Sequence, residues 1–137
     1  MTVKSVKIFK NKIIKNKKGN LIKYLNKHNK YFKSFGEVYF SEIKFNQTKG
    51  WNYHSKNTCL ITTPYGSVVF KIFNPKTKKM LTVKINKKDN KTIRIPPGFW
   101  FSFRSLSKIS IVTNLMNNVH SEKESKKLDF INKIKIK

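Results

Sequence analysis

Acidic residues are scarce in this chain. Six Asp and Glu stand against 31 Lys and Arg in 137 residues, a formal charge of +25 at pH 7. Cysteine is scarcer still. The single Cys59 cannot close an internal disulfide, which excludes the cross-linked scaffold of many small secreted domains. No apolar run approaches the ~20 residues that a membrane-spanning helix needs. The first residues also lack the apolar core of a signal peptide. A cytoplasmic protein with no membrane partner is therefore expected. Five glycines and four prolines are spread thinly, with no linker-like stretch and no internal repeat. One domain, residues 1–137, is the expectation.

Arginine is almost absent as well. Only Arg94 and Arg104 are present; the other cations are lysines scattered along the chain among Asn and Ile. A nucleic-acid surface gathers its cations on one face and leans on arginine for bidentate contacts to phosphate and base. The dispersed lysines read instead as a solvated coat, and nucleic acid is not the expected partner. A basic coat around a pocket does favour an anionic small ligand.

What the chain does have is β-forming side chains. Apolar residues make up 38% of it and aromatic rings 13%, a globular composition rather than a disordered one. "VKSVKIF" (3–9) alternates weakly as an opening strand. "NKKGN" (16–20) is a turn, with Gly19 free to take positive φ. "LIKYLNKHNKYF" stays open between a short strand and a helical turn. From Val38 the period of two is plainer. "VYFSEIKF", "TCLITTP", "SVVFKIF" and "LTVKIN" are strands, separated by "PYG" (64–66), "NPKTKK" (74–79) and "KKDN" (87–90). "KTIRI" stops at Pro96, Pro97 and Gly98; "FWFSF" and "ISIVTNL" follow. Short strands at this spacing predict an all-β antiparallel sandwich or barrel. The segment after His120 is expected to open with a helical turn.

The order of these motifs resembles the dTDP-4-dehydrorhamnose 3,5-epimerase family. "INKKDNKTIRIPPGFWFSF" is similar to that family's stretch ending in isoleucine-proline-proline-glycine-phenylalanine. "NKKGN" falls at its aspartate-x-arginine-glycine turn, "KGWNYH" at the segment closing on its catalytic histidine, and "ESKKLDF" at its closing acidic segment. The likeness runs over roughly residues 5 to 130. It implies a cupin-type jelly roll, usually a homodimer, that needs no metal or organic cofactor. It further implies a nucleotide-linked 4-keto sugar as ligand, proton transfer at the carbons beside the ketone, and a place in surface-polysaccharide synthesis.

Carried over residue by residue, the resemblance makes His54 the base and Asp129 its orienting acid. His54 is one of three histidines; it follows an aromatic-rich segment and precedes a β-run, and a structural histidine in the core or at the surface is the alternative. A base needs a carboxylate to orient it and steady the imidazolium. The candidates are few: Glu37, Glu42, Asp89, Glu122, Glu124 and Asp129. Lys18 stands at the family's turn arginine, Trp51 near the arginine that precedes the histidine, and Cys59 at its lysine. Lys49, Lys71, Thr58 or an Asn are candidates for holding an enolate oxygen, and position does not choose among them. Arg94 and Arg104 flank the pocket-mouth strand and are candidate phosphate clamps. Among Phe99, Trp100, Phe101 and Phe103, alternation turns some rings inward and others outward. Phe99 and Trp100 are assigned to ligand stacking. No metal is expected, because "NYHSKN" offers His54 neither a second histidine nor an acid.

One departure bears on the chemistry. The family's epimerases carry an opposing tyrosine late in the chain, yet "ISIVTNLMNN" has none. Single-site epimerisation, isomerisation of a keto sugar, and a binding module without catalysis all stay open. A basic single-stranded nucleic-acid binder is the more distant alternative.

Overall fold

A computed structural model describes residues 6–127. Among these residues the regular structure is entirely strand. β1 (Lys7–Lys10), β9 (Lys91–Ile95), β6 (Cys59–Tyr65), β11 (Ile109–Met116) and β4 (Glu37–Lys44) form one sheet in that order. β12 (Ser125–Lys127), β5 (Thr48–His54), β10 (Trp100–Ser105), β7 (Val68–Asn74) and β8 (Lys79–Ile85) form the second. Every neighbouring pair in both sheets is antiparallel. A separate hairpin, β2 (Lys12–Ile14) with β3 (Leu21–Lys23), turns at residues 16–19. Strands that follow each other in sequence repeatedly swap sheets, which makes the architecture a jelly-roll sandwich.

The core follows from the period of two. Ile61 of β6 and Ile93 of β9 are paired and fully buried, and Ile95 lies two residues further along the same face. From the second sheet come Phe70 and Ile72 of β7 and Phe101 and Phe103 of β10, all in the same apolar cluster. Each fully buried side chain of this size contributes about 1.5–3 kcal/mol relative to exposure. The intervening residues Lys71, Lys84 and Arg94 consequently point away from the core.

Turn chemistry sets the strand ends. At Gly66, between β6 and β7, φ is +89°, and an added Cβ would stand 2.3 Å from Ser110 Oγ. Only glycine fits there. After β9, Pro96 and Pro97 offer no N–H to a ladder, and Gly98 at φ +94° reverses the chain. The Gly98 N–H then donates to the carbonyl of His54 at 2.9 Å. The proline-proline-glycine turn thus pins the end of β5.

The open segment resolves as a strand followed by turns. Leu21–Lys23 pairs in β3, and Asn26 and Asn29 then accept from the amides of His28 and Tyr31 at 2.8 and 2.9 Å. These local side-chain bonds compete with a helix. The segment caps the outer face of the first sheet: the Tyr24 hydroxyl donates to the Leu60 carbonyl, and Tyr31 stacks on Phe9 at 5.5 Å. After His120 the chain makes a turn, as expected, and then continues as β12.

Candidate active site

The site is built on β5. Its pairing places Asn52 opposite Phe101, a core residue, so Asn52 and His54 share the inward face while Trp51 and Tyr53 share the outer one. His54 is buried at 7% exposure. Its Nδ1 lies 2.7 Å from Oε2 and 3.0 Å from Oε1 of Glu124. Glu124 is itself buried and held from several sides. The Asn57 N–H donates to Oε1 at 2.9 Å. The Ser55 N–H and hydroxyl donate to the Glu124 carbonyl at 2.8 and 3.0 Å. A buried carboxylate so fixed orients the imidazole and steadies the positive charge it acquires on taking a proton. Nδ1 is committed to Glu124, and Nε2 is the ring atom left for proton transfer.

His54 borders a cavity of about 780 Å³ between the two sheets. β4 of the first sheet supplies Tyr39 and Ser41; β5 supplies Lys49, Asn52 and His54; β12 supplies Lys126 and Lys127. Lys49 Nζ donates to Ser41 Oγ at 2.9 Å, tying one sheet to the other. Asn114 Nδ2 donates to the Tyr39 hydroxyl at 2.9 Å. Burial holds the Tyr39 phenol above its ordinary range, against the lowering effect of the Asn114 bond. Burial also pushes the Cys59 thiol up to about 12, so it is a neutral core residue.

A larger open groove of about 1200 Å³ runs between the β2–β3 hairpin and the opposite end of the barrel. Ile22, Phe45 and Tyr65 line it, without a histidine or an acid. Of these two, it is the smaller cavity that is lined by histidine and carboxylate side chains, His54, His120 and Glu122. Among the described residues no three His, Cys, Asp or Glu side chains converge as a metal site would require.

Of the residues singled out in the sequence, His54 and Lys49 meet in this cavity. Asp129 lies outside the described residues, and the carboxylate observed on His54 is that of Glu124. The others stand elsewhere. Trp51 is buried on the outer face of β5, and Phe99 is buried in the core just before β10. Trp100 faces outward against Tyr53, with ring centroids 5.0 Å apart. Arg94 lies over the Tyr31 ring at 5.7 Å on the outside of the first sheet. Arg104 Nη1 donates to Asn46 Oδ1 at 2.9 Å. Lys18 sits in the β2–β3 turn, its N–H bonded to Asn16 Oδ1 at 2.8 Å. Of the aromatic cluster, Phe103 alone borders the cavity.

Sequence reasoning did not single out Tyr39, Ser41, Asn52, Lys126 or Lys127, and it did not choose Glu124 among the acids. Strand parity carried a usable signal. Asn52 is two residues from His54, and Tyr39 lies at the same parity as buried Ile43.

Comparison with known proteins bears on the family and the fold. The family model FdtA, described as WxcM-like, C-terminal, matches residues 4–135. None of the curated proteins matches the sequence. Among solved structures, a dTDP sugar isomerase from Desulfovibrio desulfuricans superposes with a TM-score of 0.89 at 24% identity, over 94% of this chain and 87% of that one. QdtA, a sugar 3,4-ketoisomerase from Thermoanaerobacterium thermosaccharolyticum solved with TDP, gives 0.76 at 19% identity, over 94% and 90%. A dTDP-6-deoxy-D-glucose-3,5-epimerase from Legionella pneumophila, solved with dTDP-4-keto-L-rhamnose, gives 0.83 at 16% identity, over 94% and 75%. The fold is the cupin-type jelly roll that these proteins share.

Proposed function

The chain belongs to the WxcM-like, C-terminal family, and on that premise we propose that it is a nucleotide-sugar isomerase or epimerase. Its substrate would be a dTDP-linked 4-keto sugar, and its chemistry proton abstraction beside the ketone. The observation that carries this reading is His54 on the wall of a cavity large enough for a sugar, with the buried carboxylate of Glu124 bonded to its Nδ1. His54 Nε2 takes the proton from the carbon next to the carbonyl, and Glu124 stabilises the imidazolium. The ammonium groups of Lys49 and Lys127 stand on the same cavity wall, where they favour the negative charge that develops on the enolate oxygen.

A specific feature favours isomerisation over inversion. β11 reads Ile109–Met116 without a tyrosine, so the second acid that the resembled epimerases place there is missing. A single base takes a proton and returns it on one face of the enediolate. It can hand that proton to the neighbouring carbon, which moves the ketone along the ring. The protein would act in the cytoplasm as a homodimer. The edge position of β4 and its exposed Phe40 support that assembly.

His54→Asn keeps approximate size and removes the base. We expect solvent deuterium incorporation into TDP-4-keto-6-deoxyglucose to fall by roughly 10²–10⁴-fold, the usual contribution of a positioned base. Binding of dTDP, followed by calorimetry, is expected to persist. Exchange at the wild-type rate in the variant refutes the assignment. A wild-type protein that binds dTDP sugars without any exchange is a binding module instead.

A further inference from the structure

The carboxylate that meets His54 comes from the segment between β11 and β12, where no sheet ladder aims it. The last rung joining β6 to β11 pairs Cys59 with Met116. The next two positions in that register are Thr58 with Asn117 and Asn57 with Asn118. They are bonded, but with different groups. The Thr58 N–H donates to Asn117 Oδ1 at 2.8 Å, and the Asn118 N–H donates to Asn57 Oδ1 at 2.8 Å. Side-chain oxygens have replaced main-chain carbonyls as acceptors, and each asparagine holds the segment opposite. The Asn57 N–H is thereby free of the ladder, and it donates to Glu124 Oε1 at 2.9 Å.

We propose that Asn57 and Asn117 form a reciprocal clasp that positions Glu124 on His54. Both are positioning residues, since neither lines the cavity. The inference rests on the base role given to His54 above. With Oε1 held by the Asn57 N–H, Oε2 is left 2.7 Å from His54 Nδ1. Ser55 holds the Glu124 carbonyl from the same loop, so the acid is tied by main chain and carboxylate alike to the residues that follow β5. Asn57 is fully buried and, among the described residues, its Nδ2 has no hydrogen-bond partner. A buried amide left half-paired is costly, and an apolar side chain would avoid that cost if the position only filled space. The parts of Asn57 in use are its oxygen and its N–H. Both act on the segment that carries the acid.

What the clasp controls is the geometry of one hydrogen bond. His54 must donate from Nδ1 to the carboxylate for Nε2 to present its lone pair as a base. Opening either arm lets the segment after β11 drift from the loop after β5. Glu124 then turns away from the ring, and the imidazolium formed on proton abstraction loses its charge-assisted bond. The cavity lining is unchanged by this, so the loss falls on the chemical step and spares ligand binding.

Asn117→Ala removes one arm of the clasp at a half-buried position. Two quantities are read on the full chain. One is the downfield proton resonance of the His54 imidazole N–H bonded to Glu124, assigned by its absence from His54→Asn. The other is kcat and KM for deuterium incorporation into TDP-4-keto-6-deoxyglucose. Asn117→Ala is expected to lose the resonance to exchange with water and to lower kcat by roughly 10- to 100-fold, with KM within about threefold. Asn117→Asp keeps an oxygen for the Thr58 N–H and is expected to recover both. A wild-type resonance in Asn117→Ala overturns the proposal, whatever the rate does, and so does a wild-type kcat. Should the alanine variant not fold, Asn117→Ser, a shorter arm with a hydroxyl, is expected to show partial loss of both, and an unmoved resonance there is equally fatal. Wild-type protein that exchanges no deuterium removes the proposed function, while the resonance still reports on the clasp, so the two failures are told apart.

Discussion

Replacing Glu124 with glutamine alters one atom in the most constrained part of the site, and its consequences can be worked from the bonding pattern. Oε1 accepts the Asn57 N–H at 2.9 Å, so the new amide should keep its oxygen there. Its NH2 then faces His54 Nδ1, where a carboxylate oxygen stood at 2.7 Å. A donor in that place makes Nδ1 the acceptor and drives the ring proton onto Nε2. The imidazole would then present a donor to the substrate carbon, the wrong form for a base. The imidazolium formed in the reaction also loses its anion. A hydrogen bond to a charged group contributes about 1.5–3 kcal/mol, so the rate should fall by roughly 10- to 150-fold at 1.36 kcal/mol per tenfold. Binding should barely change, because the lost interaction strengthens only as the ring gains charge. The assay is deuterium incorporation into a dTDP-linked 4-keto sugar, with dTDP calorimetry and a thermal melt as controls. Glu124→Asp, which keeps the charge but withdraws it by one methylene, should be intermediate. Wild-type exchange in Glu124→Gln would show that this carboxylate only ties β12 to β5. Loss of exchange in Asp129→Asn, with Glu124→Gln unaffected, would hand the orienting role to Asp129.

Two further expectations concern the frame around the site. Gly66→Ala forces a side chain into positive φ and toward Ser110, whose Cα would lie 2.8 Å from the new Cβ. The strain should cost about 1–3 kcal/mol and lower Tm by on the order of 5–10 °C; an unchanged melt would mean that the turn can refold around a methyl group. The protein should also weaken in alkali. Cys59 ionises near 9.0 when unfolded and is pushed up to about 12 by burial, so its stabilisation is whole below pH 9 and declines as pH rises toward 12. Tyr24 and Tyr39, also raised by burial, act in the same sense. Urea midpoints measured at pH 8 and 10.5 should fall more steeply for wild type than for Cys59→Ser, and equal slopes would contradict the assignment.

Strand positions were legible because alternation and burial are the same physical fact. "VYFSEIKF", "TCLITTP", "SVVFKIF" and "LTVKIN" each lie on a strand for all but one residue. The same rule reads the arginines more finely than their mere nearness to the aromatic turn. Arg94 sits between Ile93 and Ile95, and Arg104 follows Phe103. If those neighbours face the core, both guanidiniums must face away from it. Parity likewise separates Trp51 and Tyr53 from His54. The acid was not legible. Glu124 reaches His54 across 70 residues, and its segment has neither periodicity nor turn residues that would fix which carboxylate arrives. Pairing across that distance is decided by β12 joining the edge of β5, and strand order is not written in local sequence.

The charge of the chain and the chemistry of its cavity are separable. Exposed lysines occur on both sheets, at Lys7 and Lys44 of the first and at Lys71 and Lys84 of the second. No single face collects them, and screening over about 8 Å at physiological salt leaves such a coat only a general pull on anions. The cavity differs in kind. Lys49 and Lys127 line it together with His54, whose Nδ1 is bonded to the buried carboxylate of Glu124. An anionic sugar nucleotide would thus be attracted by the coat, but positioned and transformed by a handful of residues drawn from β4, β5, β11 and the approach to β12. Two strands from each sheet must be in register before any of that chemistry exists. On the proposed function, the packing of the sandwich would be a condition of catalysis, and the lysine-rich surface would not.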